Sequence, residues 1–171
     1  MILRIGNLIP VLFIVAVLLS GCAEDPAVRY EPLMDKHLSY WNTGAFEGIE
    51  DVLHEDYALR MVPRYEAENG IDAFKAEVTR WREAYPDLNV VVDEVVYADQ
   101  AATLRWTITA THTGEGMGTP NGESVEVPGM SLIHFKDGKI FDEWIAGNAR
   151  YWMEQLGYRM MMPEAATPTE E

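Results

Sequence analysis

The feature that most constrains the fold of this 171-residue chain is a change in hydrophobic period after Pro86. From that point apolar and polar residues alternate through four segments, a pattern typical of antiparallel strands with one buried face. The predicted strands span residues 88–97, 101–113, 124–135 and 139–146. On the second of these strands, the predicted buried face carries Ala102, Leu104, Trp106, Ile108, Ala110 and His112.

The segments before Pro86 have the period of amphipathic helices. The clearest covers residues 71–85, where apolar side chains recur at helical spacing until Pro86 stops the helix. Other helices are predicted over residues 32–41, 46–53 and 149–156, with an extended piece at 57–62. Helices followed by consecutive strands predict an α+β domain, in which a curved antiparallel sheet of about four main strands is wrapped around N-terminal helices.

The last two strands form a hairpin whose register decides which side chains share a face. A two-residue loop, Asp137-Gly138, pairs Lys136 with Lys139, whereas a three-residue loop with Gly138 at a bulge pairs Phe135 with Lys139. We favour the three-residue loop, because one face then combines apolar bulk with a few polar groups, as in the wall of a ligand pocket. That face carries Met130, Leu132, His134, Asp142, Trp144, Ala146 and Asn148.

A Gly-rich loop over residues 113–122 separates the second and third of these strands. It precedes a strand, whereas a phosphate-binding loop of the GxGxxG kind leads from a strand into a helix. We therefore expect a flap over the mouth of a pocket, and no phosphate site.

Composition excludes some classes of partner and cofactor. The formal net charge is −15 and no cluster of Lys or Arg occurs, so a nucleic-acid partner is not expected. The four His are scattered and there is a single Cys, so neither a metal site nor a disulfide is predicted. No cofactor is expected either.

The N-terminus has the features of an export signal. Arg4 precedes an apolar run of about 12 residues, which is shorter than the roughly 20 that a membrane-spanning helix needs. The run ends in Ser20-Gly21-Cys22, which resembles a bacterial lipobox, where the Cys is acylated and becomes the first residue of the mature protein. An ordinary signal peptide or a buried helix is the alternative, but small residues before the only Cys favour the lipoprotein.

The predicted organisation is a lipoprotein signal peptide over residues 1–21, a tether over 22–31, a domain over 32–157 and a disordered tail over 158–171. Export and acylation at Cys22 predict a protein held to the membrane by its acyl chains. Ala23, in the position after the Cys, implies the outer membrane, on its periplasmic face, if the cell has two membranes.

An ordered set of short motifs resembles the SnoaL-like proteins, the polyketide or ester cyclase branch of the nuclear transport factor 2-like fold. The resemblance extends over residues 33–157. The motifs are Trp41-Asn42-Thr43-Gly44, Tyr85-Pro86-Asp87-Leu88, Arg105-Trp106-Thr107, Thr111-His112-Thr113-Gly114, Pro120-Asn121-Gly122, Asp137-Gly138-Lys139-Ile140, Glu143-Trp144 and Gln155-Leu156-Gly157.

The resemblance implies a cone with an apolar pocket between sheet and helices. Members of the family close a polyketide ester ring by an aldol reaction that uses neither metal nor organic cofactor. The family's His on the penultimate strand is matched by His134, but its acid/base Asp, four residues after Trp144, is replaced by Asn148. An amide cannot titrate, so the resemblance does not carry the aldol mechanism over to this chain.

The candidate catalytic residues are His134, with Asp142 as a substitute carboxylate, and His112. Each has a structural alternative: a hydrogen-bonded pocket His, a rim carboxylate paired with Arg105 or Lys139, and a His at a strand end. The candidate ligand-binding residues are His37, Trp41, Trp106, Met130, Leu132, Trp144 and Asn148.

Three hypotheses for function follow. The first is a cofactor-independent cyclase, isomerase or hydrolase that acts on a small hydrophobic molecule. The second is a carrier of such a molecule at the membrane, which Asn148 and the anchor favour. The third is a protein–protein interaction module, including a homodimer formed through the outer face of the sheet.

Overall fold

The computed structural model describes residues 25–62 and 66–161. The predicted signal peptide, the acylation site Cys22 and residues 162–171 of the predicted tail lie outside the described residues. The described elements are α1 Pro26–Thr43, α2 Ile49–Val52, β1 Leu53–Met61, β2 Glu68–Asn69, α3 Ile71–Ala84, β3 Asn89–Tyr97, β4 Ala101–Thr111, β5 Ser124–Lys136, β6 Lys139–Gly147 and α4 Ala149–Gln155.

The sheet of the described residues has six strands in the order β2-β1-β6-β5-β4-β3. It is curved and not closed into a barrel, and helices pack on its concave side, so the predicted α+β cone is confirmed. The prediction of about four main strands was too low. Strand β1, foreseen only as a short extended piece, pairs in parallel with β6, and the two-residue β2 is too short to give a sequence pattern.

Helix α1 begins at Pro26, six residues before the predicted start at Pro32. Asp25 caps it, because its Oδ1 accepts a hydrogen bond from the backbone N of Ala27 at 3.0 Å. The extra turns bury Tyr30, whose ring stacks on Phe135 at 3.7 Å between centroids. Residues 26–31 are therefore part of the folded domain, and the predicted tether is wrong over that stretch.

The hairpin of β5 and β6 has the two-residue turn Asp137-Gly138, contrary to the three-residue loop favoured above. Both turn residues have positive φ, 51° and 76°, as a type I′ turn requires. A bulge then shifts the register, so that Phe135 pairs with Ile140 but His134 pairs with Asp142. Because of the bulge, the predicted grouping of Met130, Leu132 and His134 with Asp142, Trp144 and Ala146 on one face is correct even though the predicted turn is wrong.

The concave face of the sheet carries the core. Phe74 of α3 lies at its centre, fully buried among the rings of α1, of Phe46 in the α1–α2 loop and of β1. The predicted inward face of β4 is confirmed, with Ile108 half-buried and the other five residues buried. A second cluster surrounds Tyr85, where Trp152 and Leu156 close the end of the cone, while Met153 is 42% exposed.

The Gly-rich loop packs on the end of α3. The backbone N of Gly114 donates to the carbonyl of Ala84 at 3.0 Å, and a Cβ at Gly114 would lie 1.7 Å from the carbonyl oxygen of Glu83. Asn121 Nδ2 donates to the carbonyl of Leu156 at 2.8 Å. The prediction of a flap over a pocket is wrong, since contacts with α3 and α4 hold the loop in place.

Candidate functional site

A cavity of about 390 Å³ lies between α1 and the concave face of the sheet. It is lined mainly by apolar and aromatic side chains, with a few polar groups among them, as is typical of a small-molecule site. The lining residues that carry the argument below are Glu31, Asp35, His37, Trp106, Ser131 and Glu143.

Four of the predicted ligand-binding residues line this cavity. His37 and Trp41 project from α1, Trp106 projects from β4, and Asn148 follows the last residue of β6. Helical and strand periodicity were sufficient to find the first three, because each lies on the apolar face of its element.

Met130, Leu132 and Trp144 do not line the cavity, and their predicted place in its wall is wrong. They lie on the convex face of the sheet, where Met130 is 53% and Leu132 41% exposed. Their neighbours Ser131, Ile133 and Glu143 are buried on the concave side. Both faces of β5 carry apolar residues here, so alternation alone could not decide which face turns inward.

His134 and Asp142 form a close pair on the same convex face, with 2.6 Å between Nδ1 and Oδ1. Arg60 donates from Nη1 to the other carboxylate oxygen, Oδ2, at 3.0 Å. The His134 side chain is 45% exposed. The sequence thus identified two residues that meet, but the structure places them outside the cavity, on the opposite side of the sheet.

His112, the third catalytic candidate, is buried on the inward face of β4 but does not line the cavity. Its ring stacks on Tyr85 at 5.0 Å between centroids, and neither ring nitrogen forms a hydrogen bond with a described residue. It packs in the second cluster, at the end of the sheet remote from the β5–β6 turn, and the structural alternative given above fits its position better.

The polar centre of the cavity is a pair that sequence analysis did not propose. Nε2 of His37 lies 3.3 Å from Oε2 of Glu143, and the two side chains are 5% and 4% exposed. Tyr57 of β1 donates its hydroxyl to the same oxygen at 3.2 Å. A buried carboxylate, an imidazole and a phenol thus converge, and His37 and Glu143 both line the cavity.

Burial sets the protonation of this cluster. Desolvation lowers the pKa of His37, with Glu143 opposing the shift in part, so the imidazole is neutral at neutral pH. Desolvation, followed by the charge and hydrogen bond of Glu143, raises the pKa of Tyr57 well above its usual range. Tyr57 therefore remains a protonated donor to the carboxylate. Nε2 of His37 forms no hydrogen bond with any described residue, although Oε2 of Glu143 lies 3.3 Å away.

A second polar group faces the cavity from β5. Trp106 donates Nε1–H to Oγ of Ser131 at 3.0 Å, and both side chains are buried. Because the Ser131 oxygen is then an acceptor, its own hydroxyl hydrogen is available to an acceptor in the cavity. Ser131 was missed because it interrupts an apolar strand with a small polar residue, which is a weak signal in one sequence.

Asn148 lies at the rim of the cavity and is the N-cap of α4. Its Oδ1 accepts a hydrogen bond from the backbone N of Tyr151 at 3.0 Å. Asn is a preferred residue at a helix N-cap, so this structural role explains why Asn is found at position 148 and requires no catalytic role.

Two absences concern the described part of the chain. Among residues 25–62 and 66–161, no three His, Cys, Asp or Glu side chains are grouped so as to hold a metal ion. In the same ranges, no helix is long and apolar enough to cross a membrane.

Comparison with known proteins agrees with this architecture. The sequence profile of the SnoaL-like polyketide cyclase family matches residues 32–156. No curated protein sequence matches the chain. Among solved structures, TsrD from Streptomyces laurentii is 26% identical with a TM-score of 0.68, over 78% of this chain and 98% of TsrD.

Two further structures give the same result. AclR from Streptomyces galilaeus is 26% identical with a TM-score of 0.67, over 82% of this chain and 87% of AclR. A SnoaL-like protein from Jannaschia sp. CCS1 has a TM-score of 0.69 over 82% of this chain and all of that one, and its 20% identity shows the fold alone. The domain described above therefore corresponds to nearly the whole of these proteins.

Proposed function

The chain belongs to the SnoaL-like polyketide cyclase family, and from that premise we propose that its cavity binds a small hydrophobic molecule on which His37 and Glu143 move a proton. The observation that supports the proposal is the His37–Glu143 contact of 3.3 Å inside an apolar cavity of about 390 Å³. Proton transfer of this kind underlies cyclase and isomerase reactions.

The roles follow from charge and position. The Glu143 carboxylate, held by Tyr57, removes a proton from a carbon next to a carbonyl of the ligand. The resulting enolate oxygen accepts a hydrogen bond from the free hydroxyl hydrogen of Ser131. The protonated Glu143 then passes the proton to the neutral imidazole of His37, 3.3 Å away. The imidazolium returns the proton to a different carbon of the ligand, which completes an isomerisation, or to the alkoxide that forms when the enolate closes a ring on a second carbonyl.

Hydrogen–deuterium exchange tests this chemistry without knowledge of the natural ligand. A bicyclic ketone, 1-tetralone, is incubated with the protein in deuterium oxide, and exchange at the carbon next to its carbonyl is followed by NMR. We expect catalysed exchange with the wild type and a loss of about 100-fold or more in Glu143→Gln. Asp142→Asn, the adjacent residue on the convex face, is the matched control and should retain the rate.

A carrier function is the second candidate, and the position of Asn148 favours it. At the site where the family's carboxylate is expected, this chain has a helix cap that cannot titrate. A carrier would bind apolar probes without exchanging their protons. Binding is tested by calorimetry with 2-naphthylmethanol: Leu38→Trp, which fills the cavity, should abolish it, whereas Lys36→Trp on the exposed side of α1 should not.

The membrane anchor is also part of the proposal. The lipobox-like sequence ending in Cys22 supports acylation of this residue after export, at the outer membrane if the cell has two membranes. Labelling with radioactive palmitate, followed by fractionation, tests the anchor. The label should enter the wild type and be absent from Cys22→Ser, and a variant that still takes up label would refute it.

We further propose a homodimer formed through the convex face of the sheet. Met130 and Leu132 are exposed there, between the charged pairs Arg60–Asp142 and Arg105–Asp93. A patch with both apolar groups and both signs of charge can pair with its own copy about a two-fold axis. Sedimentation analysis should give a dimer for the wild type and a monomer for Leu132→Lys.

A further inference from the structure

Among the described residues, the charged side chains that line the cavity are all acidic. They are Glu31, Asp35 and Glu143, and of the described lining residues none is Lys or Arg. An anionic ligand would therefore meet neither Lys nor Arg among the described lining residues, in a chain whose formal net charge is −15. The charges discriminate against carboxylates and phosphates and favour a cation.

Two of the acids are placed to meet the charged end of a ligand. Glu31 and Asp35 lie one turn apart on the stripe of α1 that continues with Leu38, next to Tyr97 of β3. Both carboxylates are exposed, so they stand where the cavity opens to solvent. Their charges reach Tyr97, whose pKa is raised by burial first, and then by Glu31 and Asp35.

Aromatic rings supply a second attraction for a cation. Five aromatic residues line the cavity, namely Trp41, Trp81, Tyr97, Trp106 and Trp152. The faces of such rings attract ammonium groups, and Trp does so most strongly. The buried Nε2 of His37, which forms no hydrogen bond with any described residue, marks the interior of the same cavity as the place where a polar group of the ligand is received.

We propose that the ligand of this cavity is a hydrophobic amine, either protonated or quaternary, whose cationic group lies between Glu31, Asp35 and the aromatic rings. The apolar part of the molecule fills the space between α1 and the sheet. This inference rests on the proposed function, since it specifies the chemical class of the molecule that the cavity binds.

The test compares three ligands that share a 2-naphthylmethyl group and differ in the charge of the end group, by isothermal calorimetry with purified full-length protein. They are the 2-naphthylmethylammonium ion, the neutral 2-naphthylmethanol and the carboxylate 2-naphthylacetate. The variant Glu31→Gln/Asp35→Asn removes the two exposed cavity acids while preserving their size. The matched control, Glu55→Gln/Glu123→Gln, removes two exposed acids that do not line the cavity. The measured quantity is the ratio of the dissociation constants for the alcohol and the ammonium ion.

We expect the ammonium ion to bind at least about tenfold more tightly than the alcohol, and the carboxylate to bind most weakly. The ratio should fall to about two or less in Glu31→Gln/Asp35→Asn and remain at its wild-type value in the control. Binding of the alcohol with no advantage for the ammonium ion would overturn this inference alone, as would an equal loss in the control variant. Failure of all three ligands to bind would overturn the proposed function as well.

Discussion

Strand β6 supplies the carboxylates of two His–carboxylate pairs, which differ in burial, in their neighbours and in the face of the sheet on which they lie. Asp142 and Glu143 are adjacent, so their side chains project to opposite faces of the sheet. Asp142 meets His134 and Arg60 on the convex face, where the His134 side chain is 45% exposed. Glu143 meets His37 and Tyr57 on the concave face, where both members of the His–Glu pair are buried.

The comparison shows that surroundings decide what a pair can do. On the convex face water and Arg60 screen the charge of Asp142, and the pair lies outside the cavity. On the concave face the pair lies in an apolar cavity, where charges act strongly and the pKa of His37 is lowered. The His134–Asp142 contact of 2.6 Å is therefore less informative about function than the His37–Glu143 contact of 3.3 Å, although it is shorter.

The largest expected difference between the two faces concerns packing. Phe74 is fully buried against His37 and Tyr57, so Phe74→Ala should lower the free energy of unfolding by about 3–5 kcal/mol. Val96→Ala, on the convex face of the edge strand β3 where Val96 is 57% exposed, should change it by no more than about 0.5 kcal/mol. Urea unfolding measures both, and similar losses would contradict the assignment of the faces.

Two paired glycines next to Trp106 allow a finer test of packing on the concave face. Gly129 and Gly147 are partners on β5 and β6, but a Cβ at Gly129 would lie 2.0 Å from the Trp106 ring, against 3.5 Å at Gly147. We expect Gly129→Ala to cost about 1–3 kcal/mol and to displace the indole. Gly147→Ala should stay within about 0.5 kcal/mol of the wild type. Unfolding curves with Trp fluorescence test this, and equal effects would show that the ring does not cross Gly129.

The buried pair should also give the protein a characteristic response to acid. Because burial lowers the pKa of His37, the unfolded chain binds this proton at higher pH than the folded chain. Its contribution to stability is complete above pH ~6.5 and is lost as the pH falls toward the lower folded pKa, by up to about 1.4 kcal/mol per pH unit. In urea unfolding from about pH 7.5 to about pH 5, His37→Gln should remove this part of the slope. An unchanged slope would contradict a neutral, buried His37.

The smallest effect is expected from the convex ion pair. Arg60 and Asp142 are 25% and 15% exposed, and a pair so accessible to water contributes little. A double-mutant cycle with Arg60→Gln and Asp142→Asn should give a coupling of about 0.2–1 kcal/mol, which weakens as salt is added. A coupling of several kcal/mol that resists salt would show that the two faces are less different than proposed.

Much of the fold could be predicted from hydrophobic period. The bounds of α3 and of β3 to β6 lie within two residues of the prediction, because each has a clear apolar face. The start of α1 was missed since Pro32 is a common first helical residue, and only the packing of Tyr30 on Phe135 extends the helix to Pro26. For the site, His37, Trp41 and Trp106 were found by periodicity, whereas Glu143 was named only in the motif Glu143-Trp144 and was given no role.

The sequence by itself determined the order of the main elements, the antiparallel hairpins and the shared face of His134 and Asp142. Only the tertiary structure decided which face of the hairpin is concave. The physical reason is that β5 and β6 carry apolar residues on both faces, so burial gives no preference until the helices cover one side. The bulge after the turn and the packing of α1 and α3 direct Ser131 and Glu143 inward. Contacts that fix Glu143 in this position, such as its hydrogen bond with Tyr57, join residues more than 80 positions apart, and no local sequence pattern encodes them.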